Sequence, residues 1–125
     1  MKPVTQKQVK EAAQKSKRAA VKISIEKYIY LIICSIDKLK KLPDDFLYGC
    51  YCGLCKRYIK EGKNCPLKKN CEGMCIDEWG KMKRAYDIII ANSEIFLKDK
   101  SYYYNKFLFN AIQILRKLID IKGKI

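Results

Sequence analysis

Six of the seven cysteines in this 125-residue chain fall between Cys50 and Cys75. They read Cys50-Tyr-Cys52-Gly-Leu-Cys55, then Cys65-Pro-Leu, then Cys71-Glu-Gly-Met-Cys75. A C-x-x-C pair lets two thiolates from one tight turn reach a single metal ion, and a second pair supplies the opposite edge of a tetrahedron. Gly53 and Gly73 suit such turns. Lys56, Arg57, Lys60, Lys63, Lys68 and Lys69 are interspersed with the cysteines, and their charge favours thiolate over thiol. The chemistry points to a zinc knuckle over residues 48–76, with Cys52, Cys55, Cys65 and Cys71 as ligands. Cys75 is the alternate to Cys71, and Cys50 is a further alternate. The same six residues could instead close three disulfides, or hold an iron–sulfur cluster, although the spacing matches neither common ferredoxin pattern.

Charge is the second signal. Lys and Arg number 27 against 13 Asp and Glu, a net charge of +14. Such a balance raises encounter rates with polyanions. Residues 1–22 alone carry seven positive charges and one negative, Glu11. The candidate phosphate contacts are Lys7, Lys10, Lys15, Lys17, Arg18 and Lys22 in this segment, with Lys56, Arg57 and Lys60 among the cysteines. Tyrosines stand beside basic residues at Tyr48, Tyr51 and Tyr58, and again at Tyr102, Tyr103 and Tyr104, flanked by Lys98, Lys100 and Lys106. Exposed rings of this kind can stack on bases while the cations meet phosphates.

The chain has no histidine. That removes the usual general base, the Ser-His-Asp and Cys-His arrangements, and every mixed Cys/His zinc site. A closed four-thiolate site also leaves no open position for water or substrate. The chain is therefore expected not to be an enzyme.

These residues must be positioned by helices. Ile25, Ile29, Ile32, Ile36 and Leu39 recur at spacings of four and three, one face of an amphipathic helix. Tyr28, Leu31, Ile33 and Cys34 widen that face, with Cys34 expected in the core, apart from the other cysteines. Pro43 ends this long helix. Before it, residues 1–22 read as a basic arm or helix extension with Thr5 as a cap and little to bury. After the cysteines, Asp77 and Glu78 open a helix whose apolar face is Trp79, Met82, Tyr86, Ile89, Ile90 and Leu97. Asp99 to Ser101 reads as a break before a last helix that buries Phe107, Ala111, Leu115, Leu118 and Ile119 and ends before Gly123. The expected fold is all-α: a long N-terminal helix, the cysteine knuckle and a C-terminal helical pair, with residues 23–125 as one domain. Trp79 and Tyr86 are expected to pack near the knuckle and the Ile29–Ile36 face.

The longest apolar stretch, Tyr28 to Ile36, is too short to span a bilayer. A cytoplasmic location is expected, where thiols stay reduced.

The run Cys52-Gly-Leu-Cys55-Lys-Arg-Tyr58, followed by Cys65-Pro-Leu67 and Cys71, resembles a group of small uncharacterised cysteine-rich phage and prophage proteins with the pattern C-x-L-C-x-x-Y, then C-P-L or C-P-I, then a further cysteine. Where those proteins commonly carry a cysteine three positions before the C-P, this chain has Gly62. The resemblance covers about the central quarter of the chain. It implies a mobile-element origin, hence a host cytoplasm, and a bound metal, but no activity. The favoured reading is a small zinc-binding accessory protein that binds nucleic acid with little sequence selectivity. The alternative is a protein-binding inhibitor of a host enzyme or defence complex in which the knuckle is purely structural. A homodimer through the long first helix is compatible with either.

Overall fold

A computed structural model of the protein describes residues 2–47, 53–60, 77–91 and 97–125. Among these residues every regular element is a helix and there is no strand. The fold is all-α, as the periodicity implies.

Helix α1 (Gln6–Lys15) opens with a reciprocal cap: the Thr5 side chain accepts from the Gln8 backbone N–H, and the Gln8 side chain accepts from the Thr5 N–H. It ends at Ser16, whose extended backbone breaks the helical run. The Ser16 hydroxyl then accepts from the Ala19 N–H and starts α2 (Lys17–Ile33). One serine thus closes one helix and caps the next. Residue 22, where the expected basic arm or helix extension ends, lies inside α2. The thin apolar stripe of that segment is sufficient, because Val4, Val9 and Ala13 are all buried and α1 packs on α2 and α4 (Gly53–Lys60).

The long helix expected up to Pro43 is two helices. α2 stops at Cys34, Ser35 caps the short α3 (Ile36–Lys40), and a turn from Pro43 closes on the Phe46 N–H. The period of α2 follows the reading but its phase does not. The buried side is Ala20, Val21, Ser24, Lys27, Tyr28, Tyr30 and Leu31. Ile25, Ile32 and Ile36 pack at the core's edge, whereas Ile29 and Ile33 are exposed. A helix apolar on nearly every side takes its orientation from the neighbours that cover it, here α1, α4 and α6 (Leu97–Lys124).

Helices α5 (Asp77–Ala91) and α6 pack antiparallel. Glu78 pairs with Lys117 at 3.0 Å, and two turns further along α5 the Tyr86 ring lies 6.1 Å from that of Phe107. The expected break at Asp99–Ser101 does not occur, since α6 runs through it and through Gly123. Phe107, Ala111 and Leu118 are buried as read, Ile114 joins them, Leu115 is half-buried and Ile119 is exposed. On α5, Met82, Ala85, Tyr86 and Ile89 face the core.

Candidate nucleic-acid and metal sites

Lys7, Lys10 and Lys15 stand on the exposed side of α1, and Arg18 and Lys22 continue outward along the first half of α2. Six of the nine predicted phosphate contacts sit on the two helices joined at Ser16, and five of these six are exposed. Among the described residues, the ion pairs Lys83–Asp87 and Lys117–Glu78 lie on α5 and α6.

The four predicted contacts outside these five behave differently. Lys17 is half-buried, its ammonium 5.6 Å from the centre of the Tyr58 ring. Arg57 is also half-buried, and Nη1 donates to the carbonyl oxygens of Ala13 and Gln14 at 3.0 and 3.2 Å. These are carbonyls of the last turn of α1, which lack helical partners and form the negative end of the helix dipole. Arg57 is thus engaged as a cap across 44 residues of sequence. Lys56 is half-buried. The Lys60 side chain lies outside the described residues.

The cysteine constellation falls mostly beyond the described chain. Cys50, Cys52, Cys65, Cys71 and Cys75 lie outside the described residues, while Cys55 occupies the third position of α4 with its side chain outside them. No group of three or more metal-ligating side chains gathers among the described residues.

What is described is the anchoring of α4. Gly53, read from sequence as a turn residue, is the buried first residue of α4 and packs directly on α2. A Cβ there would run into the Ala20 carbonyl oxygen and come within 2.5 Å of Ile23 Cγ2. Glycine is required by a close approach of two helices. The entrance to the cysteine segment is held as well, because the Trp79 indole N–H donates to the Leu47 carbonyl at 3.0 Å. Tyr86 donates to the Leu39 carbonyl at 3.3 Å. These two aromatics therefore contact α3 and the turn after it.

Cys34 is a free thiol, buried at the end of α2. Burial pushes its pKa up, with a Tyr30 hydrogen bond pulling the other way. The Tyr104 hydroxyl donates to the Cys34 carbonyl, fastening α6 to the end of α2, and burial raises the Tyr104 pKa too. Both shifts favour the protonated form.

Sequence reading missed Lys27. It is fully buried, with its ammonium 5.6 Å from the ring centres of both Tyr28 and Phe46. Its position one residue before Tyr28, on the flank of the buried arc, is the only hint the sequence carries.

No described helix is long and apolar enough to cross a membrane. No protein family, curated protein or solved structure matches this chain.

Proposed function

We propose that this chain is a small, basic, non-catalytic accessory protein of a phage or other mobile element that binds nucleic acid through the outer side of α1 and the start of α2. The observation that carries the reading is the fixed display of Lys7, Lys10, Lys15, Arg18 and Lys22 on two capped helices anchored in the core. Side chains held on such a scaffold lose less freedom on meeting phosphates than those of a disordered arm would. Contacts of this type set affinity without reading sequence, so selectivity is low.

In the same reading the cysteine segment binds one or two zinc ions and serves structure. A thiolate on the first turn of α4, where Cys55 stands, gains from that helix's positive end. Native mass spectrometry of unreduced protein tests this part: added mass of zinc with reduced thiols is expected. A mass deficit of paired hydrogens without metal would mean disulfides and overturn it.

The interface is tested by lysine acetylation with and without a bound oligonucleotide. Protection is expected at Lys7, Lys10, Lys15 and Lys22, and not at Lys81 or Lys122. Uniform protection, or none, would remove the α1–α2 surface from consideration.

A further inference from the structure

Helix α6 has a second apolar stripe on the side away from the core. Tyr102, Asn105, Phe109, Ile112, Arg116 and Ile119 are all exposed. They follow one another at spacings of three, four, three, four and three residues, the a/d repeat of a coiled-coil seam. Four of the six are large and apolar, and Tyr102 and Phe109 are 59% and 62% exposed. Singly exposed apolar residues need no explanation, but four large ones aligned on one side of one helix do. The buried stripe of Phe107, Ala111, Ile114 and Leu118 occupies the opposite side, and among the described residues the seam is exposed.

We infer that the seam is a self-association surface, pairing α6 antiparallel with α6 of a second copy. The antiparallel arrangement sets a positions against d positions. Full overlap then places Phe109 against Ile112 of the second copy at the centre, twice by symmetry, with Tyr102 against Ile119 at the ends. Isologous contacts of this kind are the usual way to close a dimer. Polarity selects the direction. In a parallel pair the two Arg116 guanidiniums would oppose each other, as would the two Asn105 amides. In the antiparallel pair each Arg116 meets an Asn105 amide oxygen, and the two arginines stand roughly 16 Å apart along the axis, eleven residues at the helical rise. Leu108 and Leu115 flank the seam, half-buried already.

Area sets the strength. The seam runs roughly 26 Å, and its four apolar side chains offer on the order of 400 Å² per copy, an estimate that takes each aromatic at its usual area. The pair is smaller than a standard stable interface, so the dimer forms with rising protein concentration. The face is too apolar for a polyanion, with Ile112, Ile119 and Asp120 beside its two cations, Lys106 and Arg116. The inference is independent of the nucleic-acid reading.

Sedimentation equilibrium of the full, zinc-supplemented chain in reductant, over a concentration series, tests it. The mass is expected to rise from monomer towards twice that value, and Phe109→Glu or Ile112→Glu to hold it at monomer with unchanged far-UV circular dichroism. Asn105→Asp sets a carboxylate against Arg116 of the second copy and is expected to tighten the dimer about fivefold, an ion pair replacing a hydrogen bond with one charged partner. A monomer at every concentration overturns the inference, and so does a dimer indifferent to both glutamate variants. Weakening by Asn105→Asp would mean a parallel pair and overturn it equally. If the glutamate variants abolish oligonucleotide binding while wild type stays monomeric, the seam is a stacking surface instead.

Discussion

The Arg57 guanidinium donates to the Ala13 carbonyl oxygen at 3.0 Å, tying α4, the helix that carries Cys55, to the last turn of the basic helix α1. The helix that carries Cys55 and the basic helix are therefore tied directly to each other.

That link makes Arg57 a structural cation. Arg57→Gln is expected to lower unfolding free energy by about 1–2 kcal/mol in urea titration, the range for a charged donor on partly buried acceptors. Arg57→Lys should recover only part, since the shorter side chain does not place its ammonium where Nη1 meets the two carbonyls. Oligonucleotide affinity should fall no more than for loss of one surface charge. Unchanged stability with sharply weaker binding would instead make Arg57 a phosphate contact.

Gly53→Ala sets two effects against each other. Alanine favours a helix over glycine by about 1 kcal/mol, but its methyl group would meet the Ala20 carbonyl, a backbone atom that cannot swing aside. Overpacking of this kind costs about 1–3 kcal/mol, so net destabilisation is expected in thermal melts. A variant more stable than the parent would mean the α2–α4 approach is looser than described.

Lys27 fills volume in the core. Lys27→Ala is expected to cost about 2–4 kcal/mol through the cavity it leaves, and Lys27→Met distinctly less because the stem's packing survives. The surface control Lys10→Ala should fall within about 0.5 kcal/mol of the parent. Equal effects for the two alanine variants would contradict the buried placement.

Glu78 gives a pH signature. Its carboxylate is held below the usual range by its own backbone N–H at the start of α5 and by Lys117 at 3.0 Å. A depressed folded-state pKa contributes stability that is present above the unfolded value and is lost as pH falls through the folded one. Glu78→Gln should therefore cost up to about 1 kcal/mol at pH 7, given partial exposure and the helix-end position. Below the folded pKa the difference between variant and parent should vanish. A difference constant from pH 7 to pH 2 would show that the charge contributes nothing.

Much of this architecture was legible in the residues. The helical class, the Thr5 cap, the Asp77–Glu78 start and the core positions Met82, Tyr86, Phe107, Ala111 and Leu118 all follow from local pattern and capping chemistry. What was not legible depends on partners distant in sequence. The isoleucines of α2 recur at helical spacing, but which side is buried is decided by α1, α4 and α6. The stripe of Val9 and Ala13 looked too thin to bury anything, because the glycine-mediated approach of α4 is invisible locally. Asp99 and Ser101 resemble cap residues, yet intrinsic propensity is a weak preference that packing overrides. Arg57 and Lys17 looked like free cations until their carbonyl and ring partners, each about 40 residues away, were in view.

The account turns on whether the α1–α2 surface binds phosphates, and the salt dependence of oligonucleotide binding tests that most directly. Fluorescence anisotropy with a labelled duplex would be followed over a salt series for the parent and for a variant with Lys7, Lys10, Lys15, Arg18 and Lys22 changed to glutamine. For the parent, log affinity should fall against log salt with a slope of roughly −4.5 if all five cations engage phosphates. The variant should bind much more weakly, with a slope near zero. Absence of binding at low salt, or a variant that matches the parent in affinity and slope, would contradict the proposed function.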